Sequence, residues 1–315
     1  MIRLKLDELI RGILKGDRRS VSRAISIVEN EQVSYNAKKI VKEIFQYTGR
    51  AHIVGITGPP GIGKSTMIGN LSAMLSEKGR NVSVVAIDAS SPFSGGSLLG
   101  NRIRMQESLT RHGVFMRSLA NRGLKGGLSR SIWDTVKILD ASGSDIIIVE
   151  TVGAGQADLD VVNLADTVIM VLGPGLGDEI QAIKAGIMEI GTLFVINKMD
   201  LPGAFIAQKD IEETLAMSLK KDWNPPVVGV NSLTREGYEE LIKEIDRHGE
   251  YAKGNSDLTF RKFRTELEIT IDEELRSRFH QEIRSFLADS EKIKALMEKK
   301  TDPYSAAENL INNIA

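Results

Sequence analysis

The chain has 315 residues, with 41 lysines and arginines against 42 aspartates and glutamates and a formal net charge of -1. Hydrophobic residues make up 42% and charged residues 26%, ordinary globular usage that excludes global disorder. The near-zero charge gives no argument for nucleic acid or membrane as partner, zero cysteines exclude disulfides and thiolate metal sites, and no apolar run reaches the ~18 residues of a membrane span.

The N-terminal stretch is broken by Arg3, Lys5, Asp7 and Glu8 and has no signal-peptide core, so the cytoplasm is the expected compartment. Residues 1–50 read as a helical extension. Leu6, Ile10, Ile13 and Leu14 recur at helical spacing, and so do Val21, Ala24, Ile25 and Val28. Asp17 stands where it can cap the second of these helices, and a third is expected over Tyr35–Tyr47.

At His52 the texture changes. Ile53–Thr57, Asn81–Asp88, Ser144–Glu150, Thr167–Leu172, Thr192–Asn197 and Val227–Val230 are short runs rich in Val and Ile, separated by helix-length segments. Strands buried on both faces have this composition, so an α/β domain with a mostly parallel sheet flanked by helices is expected over 51–255. From about Ser256 the chain becomes dense in Glu, Lys and Arg. Leu267, Ile271, Leu275, Phe279, Ile283 and Phe286 then step by three or four, which predicts an amphipathic helical extension over 256–315. That stripe suits either a cap on the core domain or a dimer or partner interface.

Gly58-Pro59-Pro60-Gly61-Ile62-Gly63-Lys64-Ser65, followed by Thr66, fits G-x-x-x-x-G-K-[ST] between an expected strand and an expected helix. The glycines let successive N–H groups converge on a phosphate, and the helix N-terminus adds partial positive charge. Lys64 is placed to reach the β- and γ-phosphates, and Ser65 to offer its hydroxyl to Mg²⁺. The motif therefore predicts a P-loop NTPase.

Asn197-Lys198-Met199-Asp200 ends an apolar strand. Guanine carries an N1–H and a 2-amino group on one edge, and one carboxylate can accept from both; adenine lacks the pair. Asp200 would make that contact, with Lys198 along the base and Asn197 tying its loop back to the phosphate loop. The segment Asn231-Ser232-Leu233 after the next strand is a candidate donor of a backbone N–H to the guanine O6. GTP or GDP is thus the expected ligand.

Glu150 ends the run Ile146–Val149, where an acidic residue contacts Mg²⁺ directly or through water. Gly153, three residues on, can offer its N–H to a γ-phosphate, and Asp88 can hold a magnesium water or orient the attacking one. Lys64, Asp88, Glu150 and Gly153 are the candidate catalytic residues. The position after Gly153 is Ala154, and Gln156 lies two further on, so hydrolysis is expected to be slow without a partner. Arg102 or Arg104 could neutralise transition-state charge, or could be ordinary exposed arginines.

Gly16-Asp17-Arg18-Arg19, the phosphate loop, Asp88 with Ser90-Ser91-Pro92-Phe93, Arg104-Met105, Glu150-Thr151-Val152-Gly153, Pro174-Gly175 with Asp178-Glu179, and Asn197-Lys198-Met199-Asp200 together resemble the MeaB/ArgK group of P-loop GTPases, once labelled LAO/AO transport kinases. The resemblance spans residues 16 to 200, with a family-like helical C-terminus. It implies a homodimeric, Mg²⁺-dependent GTPase that acts as a chaperone for adenosylcobalamin-dependent methylmalonyl-CoA mutase, or another adenosylcobalamin enzyme, gating cofactor loading and guarding against inactivation. It also implies a Mg²⁺ shell at Ser65, Asp88, Asn101 and Glu150, and a switch lysine at Lys184 that pairs with Glu150. Asn101 stands where the family has Asp, Ala89 where it has Pro, and Asn231 where it has Ser.

Two other readings stay open. A metallochaperone GTPase would carry Cys or a His-rich tract, whereas His52, His112, His248 and His280 are scattered. A kinase linked to arginine/ornithine transport would pass phosphate to an acceptor, for which no catalytic base is visible. Asp246-Arg247-His248 begins a D-x-H-x-x-G cobalamin pattern, but Tyr251 takes the glycine position, so the corrinoid would belong to the partner.

Overall fold

A computed structural model describes residues 2–30, 35–89, 109–121, 130–151, 161–175, 190–217 and 222–314. The described strands are β1 (His52–Thr57), β2 (Val82–Ala89), β3 (Phe115–Asn121), β4 (Ile146–Glu150), β5 (Thr167–Leu172), β6 (Leu193–Ile196) and β7 (Val227–Gly229). They form one sheet in the order β3-β2-β4-β1-β5-β6-β7, and every pairing among them is parallel. Every residue of β1, β4, β5 and β6 is buried, which is why these strands carry apolar side chains on both faces. The strand runs expected from the sequence all appear, with ends moved by two residues at most.

β3 is absent from that expectation. Its sequence, FMRSLAN, is interrupted by Arg117 and Ser118. Among the described residues it lies at the sheet edge beside β2 with one side paired, where a polar residue is tolerated. Arg117 is held there by Ser26 Oγ at 3.1 Å and Glu29 Oε2 at 2.9 Å, both on an N-terminal helix.

The N-terminal helices are α1 (Ile2–Leu14), α2 (Arg18–Asn30) and α3 (Tyr35–Ile44), the last running into a 3₁₀ turn at Phe45–Tyr47. Asp17 Oδ2 accepts from Ser20 N at 2.9 Å and from Ser20 Oγ at 2.6 Å, so Asp17 caps α2 as expected. These helices pack on α5 (Arg130–Ala141). Helix α5 is therefore covered all round, and every one of its residues is buried. Two of its carboxylates have partners, while among the described residues Trp133 Nε1 and Thr135 Oγ1 are buried without a hydrogen bond. Arg130 lies 3.5 Å from Asp134, and the Asp140 carboxylate accepts from the backbone N–H groups of Gly49, Arg50 and Ala51.

Helices α4 (Lys64–Glu77), α6 (Ala204–Met217) and α7 (Tyr238–Gly254) follow β1, β6 and β7. The main core joins β1, β2, β4, β5 and β6 to α4 and α7 through residues such as Ile56, Met67, Leu71, Ile148, Ile169, Val195, Tyr238 and Leu241. Helix α8 (Ser256–Arg278) is anchored at its start, where Lys262 pairs with Asp166 at 2.7 Å and Phe263 meets Phe45 edge-on at 6.4 Å.

The chain divides into two compact units, Met1–Phe263 and Arg264–Ala315. The second holds the rest of α8 together with α9 (His280–Ala288), α10 (Ser290–Met297) and α11 (Pro303–Ile314), with α9 packing on α10 and α11. Asp289 caps α10 by accepting from Glu291 N and Lys292 N. Leu267, Ile271 and Leu275 of the predicted stripe are about half exposed. No helix among the described residues is long and apolar enough to cross a membrane.

Candidate functional site

The site is built at the carboxyl ends of the parallel strands, where open α/β sheets bind ligands. The turn after β1 passes directly into α4. Gly58, Gly61 and Gly63 have φ of 146°, 75° and 101°, and these left-handed values curl the loop. At Gly58 a Cβ would sit 2.2 Å from Val171 O of β5, so only glycine lets the loop lie this close to the sheet. The N-cap of α4 is Gly63, which has no side chain with which to cap the helix, an arrangement suited to an anion. Lys64 is buried, and its Nζ arches back over the loop to donate to Gly58 O at 2.7 Å and Pro59 O at 3.0 Å. The loop thus combines a left-handed glycine curl with a lysine folded back onto it, which fits a polyphosphate chain.

Ser65 and Glu150 meet. Ser65 Oγ donates to Glu150 Oε1 at 2.7 Å. Glu150 is buried and lies level with Ile56 of β1 and Ala86 of β2. The chain continues straight onto β1, as Thr151 N donates to Ile56 O at 3.1 Å. A hydroxyl and a carboxylate at contact distance beside the phosphate cradle are the oxygen donors a hard cation such as Mg²⁺ takes, so these residues fit that ion. Asp88 lies on β2 two residues beyond Ala86, at the same strand end. Asn101, Gly153, Gln156, Lys184, Arg102 and Arg104 lie outside the described residues.

Asn197 follows β6 directly and is buried. Its Nδ2 donates to Ile62 O of the phosphate loop at 2.9 Å, and its Oδ1 accepts from Lys198 N at 2.8 Å and Ser232 Oγ at 2.9 Å. The loop after β6 is therefore tied to the loop after β1, the link expected of Asn197. A side chain at Gly63 would put its Cβ 2.5 Å from Asn197 Nδ2, so glycine is needed for this approach. Lys198 takes a left-handed φ of 62°, and its Nζ donates to Gly61 O at 3.0 Å. Its stem thus spans the gap between the two loops. Asp200 is exposed in the loop after β6. In the segment after β7, Leu233 N donates to Asn231 Oδ1 at 2.9 Å, while Asn231 N and O pair with Glu236 O and Arg235 N.

Two residues that the motifs do not name join this site. Asn70, in α4, donates from Nδ2 to Ser232 O at 2.8 Å. Tyr238, the first residue of α7, is fully buried, and its hydroxyl lies 2.8 Å from Ser232 Oγ. Burial pushes the Tyr238 phenol up, while hydrogen bonds with Ser232 and Asn70 pull it back. The only sequence signal for either was the position of Ser232.

The histidines read as scattered divide differently. His52 Nε2 and His248 Nδ1 both bond Thr167 Oγ1, at 2.6 and 2.7 Å, where β1 and β5 begin. That is the end of the sheet opposite the phosphate loop. His248 also meets Trp223 edge-on at 4.6 Å, with Arg247 over the same ring. Among the described residues no group of three His, Cys, Asp or Glu could hold a metal ion.

The family described as methylmalonyl-CoA mutase-associated GTPase MeaB matches residues 21–284. A protein of Pyrococcus horikoshii named as a GTPase is 45% identical over 316 residues, covering 98% of both chains. The mouse mitochondrial methylmalonic aciduria type A homolog is 33% identical over 253 residues, 75% of this chain and 61% of its own. A crystal structure of a LAO/AO transport system kinase superposes with a TM-score of 0.69 at 25% identity, covering 99% of this chain and 98% of that one.

Proposed function

The chain belongs to the MeaB family of methylmalonyl-CoA mutase-associated GTPases, and from that premise we propose that it binds and hydrolyses GTP in the cytoplasm as a chaperone for an adenosylcobalamin-dependent mutase. In this role it gates cofactor loading and protects the client, methylmalonyl-CoA mutase or another adenosylcobalamin enzyme. It works as a homodimer through the helices of 256–315.

The observation that carries the nucleotide reading is the double contact of Asn197, which joins the base loop to Ile62 of the phosphate loop. One ligand with a purine at one end and a polyphosphate at the other spans those two loops. Gly58–Gly63 cradle the phosphates, Lys64 turns from its loop carbonyls to them, and Thr66 follows in the first turn of α4. Asp200 accepts from the guanine edge, Lys198 lies along the base, and the Asn231–Leu233 segment faces O6. With the Leu233 N–H taken by Asn231, the Ser232 amide is the donor we assign.

Ser65 and Glu150, with Asp88 and Asn101, would hold Mg²⁺. The ion, when bound, neutralises the charge that develops on the phosphates. Glu150 fixes the Ser65 hydroxyl at the cradle, Asp88 orients the attacking water, and the Gly153 N–H senses the γ-phosphate. Turnover is slow until the partner completes the site.

The mutase link rests on the family description. Its test is GTP turnover and adenosylcobalamin loading measured with and without purified methylmalonyl-CoA mutase. Turnover should rise, and loading should depend on the nucleotide; if neither responds, the chaperone reading fails. The solved neighbour named a transport system kinase favours a second reading, phosphate transfer to an acceptor. Labelled γ-phosphate should appear as inorganic phosphate under the first reading and on an acceptor under the second.

A further inference from the structure

Asn70 sits in α4, a turn and a half beyond Lys64, outside every nucleotide motif of the sequence. It is nonetheless joined to the base side of the site across 162 residues of chain. Hydrogen-bond chemistry fixes how. Arg235 Nε donates to Asn70 Oδ1 at 3.3 Å, and Asn70 Nδ2 donates to Ser232 O at 2.8 Å. The amide orientation is therefore determined by an obligatory donor on one side and an obligatory acceptor on the other.

The Ser232 hydroxyl is equally constrained. Asn197 Oδ1 can only accept, so the single Ser232 proton goes to it. Tyr238 must then donate its own proton to Ser232 Oγ. Both oxygens of Ser232, the carbonyl and the hydroxyl, are thus held by side chains whose directions leave no alternative.

Followed round, these bonds close a ring. Ile62 O accepts from Asn197 Nδ2, Asn197 Oδ1 accepts from Ser232 Oγ, Ser232 O accepts from Asn70 Nδ2, and Asn70 returns along α4 to the phosphate loop. We propose that Asn70 is a positioning residue for guanine recognition: it fixes the Ser232 peptide relative to the phosphate loop, with Tyr238 fixing the hydroxyl. This rests on the guanine-nucleotide reading above and deepens it. Asn70 touches neither base nor phosphate and acts through Ser232. It lowers the cost of ordering the base loop when a nucleotide binds, because the loop is held in place beforehand.

The test compares a ligand that has a base with one that has none. Asn70→Asp keeps the shape and the Arg235 contact but faces the Ser232 carbonyl with an acceptor; Asn70→Ala removes the bond without adding charge. Binding of GDP and of tripolyphosphate is measured by calorimetry on both variants and on the unaltered protein, with the melting midpoint of each protein recorded free of ligand. GDP affinity should fall about tenfold in both variants, because the base loop is no longer held in place before the nucleotide binds. Tripolyphosphate affinity should hold, and the melting midpoint should fall by only a few degrees, about the loss of one intramolecular hydrogen bond. Equal weakening of both ligands, or unchanged GDP affinity in the variants, would overturn the assignment. If the unaltered protein itself fails to bind GDP, the guanine reading falls first, and that outcome is distinct.

Discussion

Ser65 Oγ and Glu150 Oε1 lie 2.7 Å apart, joining the first turn of the helix after β1 to the end of the neighbouring strand β4. Two parts of the chain 85 residues apart thus bring a hydroxyl and a carboxyl oxygen to one point beside the phosphate cradle. A buried carboxylate next to a polyphosphate is repulsive unless a cation lies between them.

That repulsion gives a sign-dependent prediction for Glu150→Gln. With magnesium chelated, the variant should bind GTP as tightly as the unaltered protein or more tightly, because one negative charge has gone. With magnesium present, its turnover should drop by roughly 100-fold, the scale of losing one electrostatic contributor to a transition state. GTP titrations and phosphate release, each with and without the metal, read both. Weaker binding in the chelated state would show that Glu150 serves only to hold the loop.

Asp200→Asn replaces a carboxylate that accepts twice with an amide that offers an acceptor on one side and a donor on the other. Charge-assisted hydrogen bonds contribute about 1.5–3 kcal/mol when sheltered, and the exposure of Asp200 places the loss toward the lower end. GDP affinity should fall by about tenfold or more, with tripolyphosphate affinity unchanged. Unchanged preference for GTP over ATP in this variant would remove the base assignment.

Gly249 lies within α7 with the His52 ring against it; a Cβ there would stand 2.7 Å from His52 Cε1. Alanine gains about 1 kcal/mol of helix propensity over glycine, while overpacking of this kind costs about 1–3 kcal/mol. Gly249→Ala should therefore destabilise. Gly69→Ala, in α4 with nothing within 4 Å of its Cβ, should stabilise by up to about 1 kcal/mol. Denaturant midpoints of the two variants should move in opposite directions.

His52 and His248 share the Thr167 hydroxyl, whose one proton can serve only one of them. Burial pushes both imidazoles down, His248 to about 4. Unfolding therefore takes up protons in acid. The stability that His248 contributes is fully present above pH 6.5, the ordinary value, and is lost as pH falls through about 4, and His52 acts in the same direction. Denaturant midpoints from pH 8 to pH 4.5 should decline below pH 6.5. His248→Gln should be less stable at pH 8 but show a shallower decline; an unchanged slope would place the titration elsewhere.

The legible parts of this protein were those written contiguously. The phosphate loop, the Asn197–Asp200 stretch and the buried strands β1, β4 and β5 each carry their signal within a few neighbouring residues, because strands covered on both faces must be apolar throughout. β3 was not legible, since an edge strand bearing Arg117 has no continuous apolar run, and its partner Glu29 lies 88 residues away. Asn70 reads as an ordinary polar helix residue until Ser232 is seen against it. The histidines likewise appear scattered because the sheet register, not chain spacing, brings His52 and His248 to Thr167. Helix α5 carries Arg130, Asp134, Lys137 and Asp140, and its complete burial depends on the N-terminal helices packing on it, which no local pattern spells out.

The most direct measurement is isothermal titration of the unaltered protein with GDP and with ADP in the presence of magnesium. A polyphosphate held by the Gly58–Ser65 loop and a guanine edge held by Asp200 require GDP to bind with measurable heat and to be preferred over ADP by at least about tenfold. No heat with GDP, or tighter binding of ADP, would contradict the account.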